Sequence, residues 1–177
     1  MIFQQTNLDG VWIIDLSRIE DERGFFARAY CEKEFHSQGL VANFPQMNTS
    51  FNAKAGTIRG MHFRKAPFSE VKMVRCISGA IADVVVDVRT ESPTLGKYLQ
   101  VELNHSNKKL LYIPTGFAHG FQTLTNDVEL LYWHSEFFNP DFETGFCFND
   151  PIVGINWPKT VSVVSKKDSE LPLLSNC

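Results

Sequence analysis

Ala80-Ile81-Ala82-Asp83-Val84-Val85-Val86-Asp87-Val88-Arg89 is the stretch whose reading decides the fold class. Every second residue from Ala80 to Val88 is small and apolar, while the other phase carries Ile81, Asp83, Val85, Asp87 and Arg89. A period of two with β-branched residues marks a strand, because successive side chains on extended backbone point to opposite faces. Ser78-Gly79 just before it is a turn signal, so the apolar stretch 71–77 is expected to pair with it as a hairpin. Working outward, further strands are expected at 11–16, 58–63, 97–103, 110–113, 120–124 and 128–137. The groups Asp21-Glu22-Arg23-Gly24, Ser92-Pro93, Pro114-Thr115-Gly116 and Thr125-Asn126-Asp127 separate many of them. Only 32–37, ended by Gly39, reads as a helix. Many strands in even succession favour an antiparallel sandwich or barrel over a parallel α/β sheet. From Asn139 the chain is richer in Pro, Asn and Asp, and this tail is expected to wrap the barrel as loops and short turns.

The 177 residues are most simply one domain, 1–177, long enough to close a sizeable core. Apolar residues make up 44% and charged residues 21%, as in ordinary globular proteins, and the fifteen Phe suit a core or a cavity wall. A formal charge of −3 favours neither nucleic acid nor an anionic membrane as partner. Cys31, Cys76, Cys147 and Cys177 are scattered and form no CxxC pair. The start MIFQQTNLDG has neither a basic region nor an apolar run, and no stretch approaches the length needed to span a bilayer. Together these point to a reducing, cytoplasmic setting.

Four segments could carry chemistry. Thr57-Ile58-Arg59-Gly60-Met61-His62-Phe63-Arg64 holds one His and two Arg. On a regular strand Arg59 and His62 would face opposite ways, and a bulge at Gly60 would let both reach one cavity. By itself the segment is equally a half-buried strand histidine with two surface arginines. Pro114-Thr115-Gly116-Phe117-Ala118-His119 has the P-x-G-x-x-H spacing of the second half-motif of cupin jelly rolls. Metal-binding cupins supply H-x-H in the first half-motif, where this chain has His62-Phe63-Arg64, and an arginine stays protonated and cannot ligate a divalent ion. The expectation is an all-β, cupin-type jelly roll with short helices, a C-terminal extension and no metal. In 128–134, Tyr132 is in phase with Val128, Leu130 and His134, so an inward face would offer a phenol as proton donor, or a core tyrosine with a satisfied hydroxyl. Val164-Ser165-Lys166-Lys167-Asp168 alone is a solvated charge cluster.

Taken together, DERGFF (21–26), IRGMHF (58–63), KMVRCISG (72–79), DVVVDVRTESPTLGK (83–97), YIPTGFAHGFQTL (112–124), FNDPIVGINWP (148–158) and SKKD (165–168) resemble the dTDP-4-dehydrorhamnose 3,5-epimerase family from about residue 9 to 172. The resemblance implies a homodimeric jelly roll with no cofactor, acting on a nucleotide-sugar in deoxysugar and O-antigen lipopolysaccharide biosynthesis. It assigns His62 as base, Asp168 as its orienting carboxylate, Tyr132 as acid and Lys72 beside the substrate ketone. It assigns Arg23, Arg59, His119, Glu143 and Lys167 to the substrate or its diphosphate, and Gln46 and Asn48 to the nucleotide. The apolar Val11-Trp12-Ile13-Ile14 is expected to cover an exposed sheet edge through dimer pairing.

Three positions depart from the family pattern. Met47 stands where an acidic residue is usual, Arg28 likewise after RGFF, and Phe137-Phe138 replace an aromatic pair containing tyrosine. The first two touch the nucleotide-contacting region and open the base to CDP as well as dTDP. The third removes hydroxyls near the sugar at Phe138 and its neighbour, and points to epimerisation at a single carbon as the alternative to both. A non-catalytic sugar-nucleotide-binding cupin is the reading from another class, and joint retention of His62, Asp168, Lys72 and Tyr132 speaks against it. A metal-dependent cupin oxygenase is a third, and the Arg64 argument speaks against that one.

Overall fold

The computed structural model describes residues 1–177, the side chain of Asn176 excepted. Its strands in chain order are β1 (Ile2–Gln5), β2 (Trp12–Asp15), β3 (Arg18–Asp21), β4 (Gly24–Ala27), β5 (Gln46–Asn52), β6 (Thr57–Arg64), β7 (Lys72–Ser78) and β8 (Ala80–Asp87). They continue as β9 (Tyr98–Asn104), β10 (Leu110–Ile113), β11 (Phe117–Thr123), β12 (Val128–His134), β13 (Glu143–Gly145) and β14 (Val163–Val164). Helix α1 (Glu32–Ser37) lies between β4 and β5, and α2 (Lys166–Ser169) near the C-terminus. One sheet runs β1-β2-β10-β7-β12-β5 and the other β13-β6-β11-β8-β9, with β14 on the free edge of β6 and β3-β4 a separate hairpin. All pairs but β14 with β6 are antiparallel, as a cupin-type jelly roll requires.

Three apolar clusters follow from the strand phases. Between the sheets pack Leu8, Val74, Cys76, Ile81, Val85, Leu111, Phe117, Phe121, Val128 and Leu130, among others. On the outer face of the first sheet, α1 inserts Phe35 against Ile14, Met73, Leu110 and Tyr112. On the outer face of the second, the tail lays Phe146 and Val153 over Met61, Val84, Val86 and Ala118. The even phase of β8 thus lies under the tail, while the phase bearing Asp83 faces the space between the sheets. Both faces of β8 are covered, so its whole interior is buried.

The expected hairpin between 71–77 and 80–89 does not form. β7 pairs with β10 and β12, whereas β8 pairs with β9 and β11 in the other sheet. Gly79 makes the crossing, with φ +72° and space so tight that a Cβ would stand 2.6 Å from Thr125 Oγ1. The segment over 11–14 is also not an edge: β2 is bonded to β1 on one side and β10 on the other, so its ladder groups are already paired. The open edges of that sheet are β1 and β5. The last strand of the first sheet stops at His134 rather than 137, because both neighbours end there, β7 at Lys72 and β5 at Gln46 after Pro45. The helix expected at 32–37 is α1, but α2 is a second one. Polar β5 (QMNTSFN) has no apolar alternation to betray it and exists because β12 offers it an edge. No helix among the described residues is long and apolar enough to cross a membrane.

A candidate active site between the two sheets

β6 is bulged. His62 pairs with His119 and Arg59 with Phe121, so three steps on β6 match two on β11. The extra residue turns Arg59 and His62 toward the same space. It is accommodated because Gly60 (φ +114°) packs where a Cβ would lie 2.6 Å from Gly120 Cα. The resulting cavity, about 550 Å³, is walled by both sheets and roofed by the 138, 143 and 163–168 segments. That volume suits a ligand of small-molecule size.

On the second-sheet wall, His62 Nε2 lies 2.8 Å from Asp168 Oδ1, and Gly60 N donates to Asp168 Oδ2 at 3.2 Å. Asp168 reaches this place as the third residue of the α2 turn, where its N–H donates to the Ser165 cap at 3.0 Å. Burial of Asp168 by itself raises its pKa, but His62, then the Gly60 N–H and Ser165, outweigh that and hold the carboxyl below its ordinary range. Beside this pair His119 Nε2 sits 2.5 Å from Asp83 Oδ1, a second imidazole backed by a buried carboxylate. Arg59 Nε donates to Asn52 Oδ1 at 2.7 Å, leaving the rest of its guanidinium for the cavity. Glu143 and Lys167 close the rim as an ion pair of 2.6 Å.

The first-sheet wall carries Tyr132, Lys72, Asn48 and His134. Tyr132 Oη is 2.9 Å from Ser50 Oγ across the β12–β5 ladder. Burial pushes the phenol above its usual range, with the Ser50 hydrogen bond opposing; the hydroxyl therefore holds its proton at neutral pH. Lys72 Nζ lies 3.0 Å from Glu70 Oε1. Phe138 stands at the mouth with Arg64 over its ring at 5.6 Å.

Most of the residues singled out from sequence therefore meet in one cavity: His62, Asp168, Tyr132, Lys72, Asn48, Arg59, His119, Glu143, Lys167 and Phe138 all line it. Gln46 does not line it, but its Oε1 accepts from Phe138 N at 2.8 Å and so shapes the rim. Arg23 and Arg28 lie outside it. Arg23 projects from the β3–β4 turn, 85% exposed and paired with Asp21, and Arg28 pairs with Glu34 at 2.6 Å. Met47 alternates away from Asn48 and faces the exposed side of β5, so this departure does not alter the cavity wall. Sequence reading missed Glu70, Asp83 and Ser50. Glu70 sits in a loop with no periodicity, and Asp83 was hidden among valines. Among the described residues no group of three or more His, Cys, Asp or Glu is placed to hold a metal ion; Arg64, at the second position of the half-motif, instead turns its Nε to Glu70 at 3.2 Å.

A jelly roll with an imidazole–carboxylate pair on one sheet and a phenol on the other suits the acid–base chemistry of a carbon-acid epimerase. Comparison with known proteins agrees. The family model for dTDP-4-dehydrorhamnose 3,5-epimerase matches residues 5–176. The dTDP-4-dehydrorhamnose 3,5-epimerase of Sinorhizobium fredii is 42% identical over 98% of this chain and 90% of its own. The crystal structure of dTDP-4-dehydrorhamnose 3,5-epimerase from Elizabethkingia anophelis superposes with TM-score 0.96 at 36% identity, covering 99% of this chain and 97% of that one. The Legionella pneumophila dTDP-6-deoxy-D-glucose-3,5-epimerase, solved with dTDP-4-keto-L-rhamnose, gives TM-score 0.91 at 33% identity over 98% of this chain and 93% of that one. The chain belongs to the dTDP-4-dehydrorhamnose 3,5-epimerase family and is an isomerase.

Proposed function

We propose that the protein epimerises a nucleoside-diphosphate 4-keto-6-deoxysugar, with the dTDP-linked sugar as substrate and C3 and C5 as the centres inverted. One observation carries this reading: His62 stands on β6 of one sheet and Tyr132 on β12 of the other, across an open cavity. A sugar ring held between them meets a base on one face and an acid on the other. Inversion needs that arrangement, since a proton returned from the same face regenerates the substrate.

In each inversion His62 takes the proton from the carbon beside the C4 ketone, and the bonding pair moves to form the enolate. Asp168 fixes the ring and favours the imidazolium that forms. Lys72 offers its ammonium to the charge developing on the C4 oxygen. Tyr132 then delivers its proton to the opposite face of the carbon as the enolate collapses to the ketone. Arg59 supplies a cationic donor for a diphosphate, and His119, held by Asp83, stands beside it on the same wall.

The test is incubation in deuterated water with dTDP- and CDP-linked 4-keto-6-deoxysugars. The expected result is one deuterium at C3 and one at C5 of the dTDP sugar, with conversion to the L-sugar. Label at only one centre would establish the single-centre alternative, and no label in any substrate would overturn the epimerase reading.

The chain acts as one domain in the cytoplasm, and its assembly is a homodimer. The outer face of the first sheet leaves Phe51 60% and Met47 53% exposed, and the β3–β4 hairpin leaves Phe26 75% exposed. On the same sheet Arg75 Nε is buried without a hydrogen-bond partner among the described residues. Apolar surface of this kind favours a second copy. It would also give Arg23, remote from its own cavity, a cavity to serve in the partner.

A further inference from the structure

Glu70 is a buried carboxylate that meets three cationic or ionisable groups: Arg64 Nε at 3.2 Å, Lys72 Nζ at 3.0 Å and His134 Nδ1 at 2.9 Å. Its side chain is 3% exposed. From Glu70 two routes lead to the same point on the cavity rim. The first is direct: Arg64 Nη1 donates to Phe137 O at 2.9 Å, and its guanidinium lies over the Phe138 ring. The second runs through side chains. Phe138 N donates to Gln46 Oε1 at 2.8 Å, and Gln46 Nε2 donates to Asn48 Oδ1 at 3.2 Å. Asn48 Nδ2 lies 3.3 Å from His134 Nε2, and His134 Nδ1 meets Glu70.

The polarity of the second route is forced from both ends. It begins at a backbone N–H, which only donates, and ends at a carboxylate, which only accepts. Gln46 must therefore present its oxygen to Phe138 and its nitrogen to Asn48. Asn48 then has only its amide nitrogen left for His134. His134 must be neutral, with its proton on Nδ1 facing Glu70 and Nε2 bare toward Asn48. Bonds aligned in one direction polarise one another, and none can reverse alone.

We propose that Glu70 is a positioning residue that couples the nucleotide side of the cavity to the enolate side. Through Oε2 it holds His134, Asn48 and Gln46 and so fixes the rim at Phe137-Phe138; through Oε1 it holds Arg64 against the same rim and aims Lys72. A nucleotide seated beside Gln46 and Asn48 thereby acts on the group that stabilises the enolate. The chemical meaning of Lys72 rests on the epimerase reading above, whereas the circuit itself does not.

Two measurements decide it. In the unliganded protein, nitrogen NMR of the His134 ring is expected to show the proton on Nδ1; a proton on Nε2 overturns the circuit whatever the enzyme does. The second is a double-mutant cycle of Glu70→Gln and Gln46→Ala, read by calorimetry with dTDP and by deuterium exchange into the dTDP-4-keto sugar. Glu70→Gln is expected to weaken dTDP roughly tenfold and to slow the exchange turnover roughly tenfold to a hundredfold, because Lys72 loses its aim. Gln46→Ala weakens dTDP but adds no further loss on top of Glu70→Gln, since both cut the same chain. Losses that multiply, or a Glu70→Gln protein with native affinity and turnover, overturn the proposal. Arg64→Gln/Glu70→Gln removes the stranded guanidinium and keeps the test available if the single variant misfolds; it too is expected to exchange slowly. A wild-type protein that exchanges nothing sinks the epimerase reading instead, and the tautomer still judges the circuit.

Discussion

At the scale of single residues, the proposed acid and base are separable. Tyr132→Phe removes one oxygen from a wall that Ser50 and His134 otherwise keep in shape. The expected outcome is wash-in of solvent deuterium with loss of inversion, because His62 still abstracts and returns the proton on its own side. Inversion at the native rate would place the acid elsewhere, with His134 the next group on that wall. His62→Asn should abolish exchange while leaving nucleotide affinity largely as it was. Asp168→Asn keeps the shape but not the anion, and turnover is expected to fall by roughly a hundredfold or more. The same carboxylate bears on stability. Its folded pKa lies below the unfolded value, so its contribution is complete at neutral pH and is lost as pH falls through the folded pKa. Denaturation midpoints followed downward from about pH 5 should therefore drop more steeply in the wild type than in Asp168→Asn; parallel curves would mean the pair adds nothing to folding.

At the scale of elements, the site depends on one irregularity in one strand. Without the bulge in β6, Arg59 and His62 would lie on opposite faces of the sheet, and the cavity would lose either the His62 imidazole or the Arg59 guanidinium. The bulge in turn needs Gly60 against Gly120. Gly60→Ala places a Cβ 2.7 Å from His119 O and 2.6 Å from Gly120 Cα at a φ of +114°, so neither strand can give way cheaply. The expected cost is about 3 kcal/mol or more in chemical denaturation, with exchange activity lost beyond what the lower stability explains. An unchanged midpoint would show that the strands can part. The α2 turn is the other element the site needs. A cluster of lysines reads as surface, and most of it is: Lys166 and Lys167 stay exposed. Only the Ser165 cap swings Asp168 back beneath them.

At the scale of the molecule, apolar surface is left bare at the β5 end of the first sheet's outer face, Met47 and Phe51, and on the β3–β4 hairpin at Phe26. A homodimer covering both is expected in light scattering at micromolar concentration. Phe26→Asp or Phe51→Asp should shift it toward monomer and, where Arg23 serves the partner's cavity, weaken nucleotide binding as well. A native-sized, fully active Phe26→Asp protein would remove the hairpin from both roles.

The sequence alone determined the strand-rich class, eight strands of the two walls and helix α1, and its family resemblance singled out most of the side chains that line the cavity. These are carried by local periodicity, turn chemistry and short motifs, which fold the same way wherever they are placed. Three things were decided only by the tertiary structure. Which strands pair was one: Gly79 sends β7 and β8 into different sheets, and a turn signal does not say whether the chain returns along its own sheet or crosses to the next. Where β5 lies was another, since a polar strand is held by the edge it joins rather than by its own pattern. The third was the buried circuit around Glu70. Its members are separated by up to 92 positions along the chain, and a carboxylate in a loop has no periodicity; only the low dielectric between closed sheets makes its partners obligatory.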